Sequence, residues 1–181
     1  MNIQQSYDDL ARLLDYPAGK DGLLESCDSL AAFLKAHGHE SPAAPFAELV
    51  RSSTLAELQE DYVAQFDFNP AAAPYLGHHL FGDNQKKGAY LIQVKQEFLR
   101  HEFDPAGCEL PDHLPVLLAF LAHLVGRGEH AVRRRFIEEL VRPGLDKLVA
   151  TWSPRGGSPW LTLVEAAGLL LNTDREEVST C

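Results

Sequence analysis

From Leu114 to Val125 the chain reads Leu-Pro-Val-Leu-Leu-Ala-Phe-Leu-Ala-His-Leu-Val, and on a helical projection almost every side of that segment is apolar. Leu114, Leu117, Leu118, Leu121, Leu124 and Val125 form one face, and Val116 and Phe120 make the other side apolar too. A helix that is hydrophobic all round has to be buried. The run falls well short of the ~20 apolar residues that span a bilayer, so its cover has to be protein. A central helix wrapped by other helices is the expected solution.

The surrounding sequence supplies those helices. Ile3, Tyr7, Leu10 and Leu14 form one stripe, stopped at Pro17, and Leu23, Cys27, Leu30, Ala31 and Leu34 form a second, ended by His37-Gly38. A short helix is expected over Phe46 to Arg51. Thr54-Leu55-Ala56-Glu57 has the form of a capping box, with Leu58, Tyr62 and Phe66 continuing its face. Asp83 or Asn84 is placed to cap a helix running to about Phe103. Val132, Phe136, Ile137 and Leu140 predict another, broken at Pro143-Gly144 and resumed through Leu145, Leu148 and Val149. Ser153 to Pro159 reads as a loop, and Leu161, Val164, Gly168 and Leu171 as a last helix. No segment alternates with period two. The fold class is all-α: a single-domain irregular bundle of about eight helices over residues 1–172, with a polar tail over 173–181.

Two stretches stand out from this helical background. Asp67 to Gly82 is broken by Pro70, Pro74, Gly77 and Gly82, yet it contains Phe68, Tyr75, Leu76 and Phe81, which must pack down or line a binding surface. Glu109-Leu110-Pro111-Asp112-His113-Leu114-Pro115 opens the central helix. Asp112 suits its N-cap, and His113 adds a side chain that titrates near neutral pH, solvated in its simplest reading.

Net charge is −10, from 16 Lys+Arg against 26 Asp+Glu, which disfavours nucleic acid and suits a basic partner. The first charges, Asp8 and Asp9, do not make the basic start of an export signal, and nothing is long enough to span a membrane, so a cytoplasmic protein is expected. Cys27, Cys108 and Cys181 are odd in number and far apart, giving neither a disulfide framework nor a zinc pattern. Gly82 to Gly88 lacks the Gly-Lys-Ser/Thr of a phosphate loop, no Ser sits in a nucleophile elbow, and His78-His79, Asp83, Asp112 and His113 have no metal-ligand spacing. His37, His39, His101, His123 and His130 read as surface or helix-end residues. Arg133-Arg134-Arg135 shares its helix with Glu138 and Glu139 and reads as a solvated, charge-paired face. No enzyme, cofactor or metal site is expected.

Glu60-Asp61-Tyr62-Val63-Ala64-Gln65-Phe66-Asp67, then Pro74-Tyr75-Leu76-Gly77-His78-His79-Leu80-Phe81-Gly82-Asp83, and then Glu109-Leu110-Pro111-Asp112-His113-Leu114-Pro115 together resemble the nitrate reductase delta subunit family of NarJ-type molybdenum cofactor assembly chaperones. That family lies within the redox-enzyme maturation chaperones, with the TorD and DmsD types. The resemblance implies a system-specific cytoplasmic chaperone that binds the N-terminal, signal-like peptide of a molybdoenzyme catalytic subunit, foremost the nitrate reductase alpha subunit. It would hold that apoenzyme until the molybdenum cofactor is inserted and delay membrane docking. Carried over by motif, the peptide-binding residues are Tyr75, His79, Phe81, Pro111, Asp112 and His113, with a homodimer possible. For Asp112 a cap and a contact to a client arginine both stay open. Service to another twin-arginine-exported molybdoenzyme, and a nucleotide- or metal-binding helical protein, are the competing readings.

Overall fold

The computed structural model describes residues 2–105, 107–152 and 157–179. Its helices are α1 (Ile3–Leu14), α2 (Leu23–Ala36), α3 (Ala44–Ser52), α4 (Leu55–Tyr62), α5 (Leu76–Phe81), α6 (Lys86–Arg100), α7 (Leu114–Gly126), α8 (His130–Phe136), α9 (Arg142–Trp152) and α10 (Pro159–Ser179). Among the described residues no strand occurs, and the one β feature is an isolated antiparallel bridge between Tyr75 and His113. The all-α expectation holds. Most of the Ser153–Pro159 loop, and Cys181, lie outside the described residues.

The central helix is α7. Leu114, Leu117, Leu118, Phe120, Leu121 and Leu124 are all fully buried. It packs most extensively against α1, which in turn meets α2 and α10. Two aromatic clusters fill the space around it. Trp160 meets Phe46, Tyr62 and Phe66 edge-on, and Phe120 meets Phe98, Phe103 and Phe136. The Trp160 indole N–H donates to Asp61 at 2.6 Å, as a buried indole requires a partner. Thr54 and Glu57 complete the expected capping box of α4.

Three local expectations change. The predicted break at Pro143-Gly144 is absent. A π-turn, Ile137–Val141, bridges α8 to α9 and places Pro143 in the first turn of α9, where a missing N–H is tolerated. Gly144 is there for contact: a Cβ on it would lie 2.7 Å from Leu76 Cβ, so it lets α9 close on α5. A second π-turn, Val63–Asp67, extends α4. The stretch from Asp67 to Gly82 is not wholly irregular, since α5 occupies its end. At α6, Asn84 accepts from the Lys86 N–H at 3.0 Å, one residue ahead of the N-cap Gln85.

The third change concerns Thr173 and Arg133. The polar tail expected from Thr173 begins instead as part of α10, with Thr173 and Asp174 buried. Asp174 accepts from Tyr7 Oη at 2.6 Å and from two nitrogens of the buried Arg133 at 2.7 and 3.1 Å. Arg133 is therefore not part of a solvated face, because a helix can turn one arginine of a basic run inward when a carboxylate meets it there. Removing one partner of such a pair leaves a buried charge alone. Asp174→Ala is expected to cost about 3–5 kcal/mol, with Arg133→Met/Asp174→Leu recovering most of it, measured by urea unfolding.

Candidate functional site

The two motifs far apart in sequence are joined in space. Leu114 N–H donates to Pro74 O at 2.8 Å and Leu76 N–H donates to Asp112 O at 3.1 Å. This short antiparallel pairing makes α5 and α7 start side by side. Asp112 sits in the turn closed by His113 N–H donating to Leu110 O at 3.0 Å, and its carboxylate faces α5 instead of α7. Asp112 Oδ2 accepts from Gly77 N–H at 2.9 Å, in the first turn of α5. The expectation that Asp112 caps its own helix is thus corrected: it caps the neighbouring one. The N-cap of α7 is His113, with no side-chain cap bond.

Asp112 is 0% exposed and its Oδ1 has no hydrogen-bond partner. Burial raises its pKa, against the lowering effect of the Gly77 N–H and Lys87. Gly77 is the residue that allows the contact. A Cβ there would lie 2.7 Å from Asp112 Oδ2 and 3.0 Å from Tyr90, whose ring is fixed by Tyr90 Oη donating to Leu140 O at 2.7 Å.

His113 is not solvated. It is 3% exposed, its Nδ1 has no partner, and its ring lies 5.1 Å from that of Tyr75. Burial lowers its pKa, and the carboxylates of Glu109, Asp15, Asp112 and Asp67 oppose that shift. Tyr75 is half-buried and donates to Glu109 Oε2 at 2.7 Å; desolvation, then that bond, push its phenol well above the ordinary value. His79 donates from Nε2 to Ala73 O at 2.7 Å, and burial lowers its pKa. Phe81 packs against Tyr90 at 5.7 Å, and Pro111 is half-buried beside Asp112. Leu76, expected either to pack down or to line a binding surface, packs down: it is fully buried under Gly144.

Two cavities flank the Asp15-Tyr16 turn. One, of about 200 Å³, is lined by His113, Glu109 and Asp15 together with Phe103, Pro115 and Ala119. The other, of about 370 Å³, runs along α4 and its π-turn, between Tyr16, Val63, Ala64 and Phe68, with Glu60 on its edge. Phe68 is 81% exposed and Tyr16 47%. Sequence reasoning flagged Phe68 as a candidate surface residue. It had no signal for Asp15 or Tyr16, which reach the site only through the packing of α1 against α7. Among the described residues no three His, Cys, Asp or Glu side chains are grouped to hold a metal ion.

The nitrate reductase delta subunit family matches residues 20–156. The probable nitrate reductase molybdenum cofactor assembly chaperone NarJ of Bacillus subtilis is 34% identical over 52% of this chain and 52% of its own length. The chaperone protein TorD of Shewanella oneidensis is 31% identical over 67% and 63%, and the nitrate reductase molybdenum cofactor assembly chaperone NarJ of Escherichia coli K12 is 31% identical over 38% and 29%. The matched part of the chain therefore spans between about a third and two thirds of these relatives' lengths.

Two outcomes are expected at the motif. Asp112→Asn keeps an acceptor for Gly77 N–H and removes a buried charge, so its melting temperature should equal or exceed that of the parent at neutral pH. Asp112→Ala orphans the N–H and should cost about 1–3 kcal/mol. His113 gives a pH signature. In the unfolded chain it takes up a proton near its ordinary value of 6.5, whereas in the native state it resists protonation. Its contribution to stability is therefore complete above that pH and is lost as pH falls towards the lowered native value. Unfolding free energies of His113→Asn between pH 7 and pH 5 should fall less steeply than those of the parent.

Proposed function

The chain belongs to the nitrate reductase delta subunit family, and from that premise we propose that it is an assembly chaperone, not an enzyme, which holds a molybdoenzyme catalytic subunit by that subunit's N-terminal peptide before the molybdenum cofactor is inserted. The observation that carries this reading is the pair of apolar cavities beside the joined motifs, edged by Asp15, Glu60 and Glu109. A signal-like peptide offers cationic groups and an apolar helical stretch, and such a helix docks by its apolar face while charges steer it.

The cationic contact is assigned to Asp15, Glu109 and the neighbouring Asp67. Asp112 is enclosed and already bonded to Gly77, so its part is to hold Tyr75 and His113 at the edge of the cleft. Tyr75, His79, Phe81, Pro111 and His113 then form the frame, and the Tyr16–Phe68 groove takes the apolar residues. The client is read as the nitrate reductase alpha subunit, supported by the family and by the NarJ relatives. The TorD match, which covers 67% of this chain, favours a second reading in which another molybdoenzyme is served. The working compartment is read as the cytoplasm; among the described residues no helix is long and apolar enough to cross a membrane.

The test is calorimetry with synthetic N-terminal peptides of the candidate catalytic subunits. One of them should bind and become helical. Phe68→Ser and Asp15→Asn/Glu109→Gln should each weaken it at least ~10-fold, as loss of a buried anchor or of charge-assisted bonds requires, with melting temperatures unchanged. No saturable heat for any peptide would defeat the proposal.

A further inference from the structure

Of the residues carried over by motif, His113 alone lines either cavity. Tyr75 lines neither, yet it holds two groups that do. Its hydroxyl donates to Glu109 Oε2 at 2.7 Å, and its ring lies against the His113 imidazole, 5.1 Å away and tilted by 32°. Glu109 and His113 both line the 200 Å³ cavity, His113 with an unpartnered Nδ1.

Tyr75 can act on its neighbours because its own position is fixed. The residues on either side of it are bonded to the second motif, Pro74 O accepting from Leu114 N–H and Leu76 N–H donating to Asp112 O. Tyr75 itself forms the bridge with His113. A tyrosine has few side-chain torsions, so a fixed backbone leaves its hydroxyl little freedom. Glu109 is the opposite case, a long, exposed side chain in the loop before α7. Left alone, such a side chain spreads over many rotamers, and a ligand that needs it has to order it on binding. The bond from Tyr75 orders it beforehand and leaves Oε1 to the ligand.

We propose that Tyr75 is a positioning residue that does not itself touch the client: through its hydroxyl it fixes the Glu109 carboxylate at the cavity, where that carboxylate meets the client's cationic group. On the client reading above, on which this rests, Glu109 supplies the charge and Tyr75 supplies its place.

The two contributions separate kinetically. Long-range attraction depends on the charge and sets the association rate, whereas a well-placed contact sets how long the complex lasts. Tyr75→Phe keeps the ring against His113 and the charge of Glu109, and removes only the hydroxyl. With the tightest-binding N-terminal peptide it should leave association unchanged and speed dissociation roughly 3–10-fold, the cost of ordering one rotamer-rich side chain. Glu109→Gln should instead slow association and make it less sensitive to salt. In the Glu109→Gln background, Tyr75→Phe should change affinity by less than about twofold, because groups that act through one contact do not add.

In the peptide-free protein, side-chain carbon relaxation measured by nuclear magnetic resonance should show Glu109 ordered in the parent and mobile in Tyr75→Phe, with melting temperatures alike. An equal loss of affinity from Tyr75→Phe in both backgrounds would make Tyr75 a direct or purely structural contact and overturn the proposal. Unchanged dissociation, or a Glu109 side chain equally mobile in parent and variant, would overturn it too. If no peptide binds, the client reading fails by itself, and the relaxation comparison still decides whether Tyr75 holds Glu109.

Discussion

The hydrogen bond from Gly77 N–H to the enclosed Asp112 carboxylate sets the arrangement of the site. With the two backbone bonds beside it, it fixes where α5 begins relative to α7, and so where Tyr75, His79 and Phe81 stand relative to His113. The position is demanding. It needs a glycine on one side because any side chain would strike the carboxylate, and a fixed Tyr90 behind it. A charge without a full set of partners costs stability in such a place. Its retention makes sense if the geometry it imposes on the cleft matters more than the stability it forgoes.

Charge is divided unevenly over the surface. Carboxylates cluster where α1 ends, where the π-turn of α4 ends and in the loop before α7, so Asp15, Asp67 and Glu109 all act on Tyr62 and His113, and Asp67 and Glu109 on Tyr75 as well. Cations cluster on the outward side of α6. Opposed patches of this kind steer encounters and fix orientation more than they add affinity, and Tyr16, Phe68, Ile92 and Leu99 are the large apolar side chains left exposed beside them.

Helical periodicity was enough to find most of the elements, because each amphipathic stripe reports directly which face is buried. The capping box at Thr54 and the stops after Leu14 and Leu34 were readable for the same local reason. What periodicity could not carry was information between elements. Asp112 has every local mark of a cap for α7, and only the pairing with Pro74–Leu76 brings α5 within its reach. Arg133 looks like one of three solvated arginines until Asp174 arrives from α10. Pro143-Gly144 spells a break, and the π-turn before it removes the need for one. The cleft itself is framed by residues from α1, α4 and two loops, and nothing in any one segment announces it.

The Tyr7–Asp174 hydrogen bond joins residues 167 positions apart. Together with Arg133 it ties the first helix to the last across nearly the whole sequence. Contacts of such long range delay folding, because the loop entropy is spent before the contact forms. During synthesis α1 emerges with Tyr7 lacking its acceptor and with α7, its main packing surface, still unmade. Helix α1 therefore has to wait, exposed, for partners that leave the ribosome later. A fold tied in this way is vulnerable while nascent, and its rate of maturation should be governed by completion of α10 and not by local helix formation.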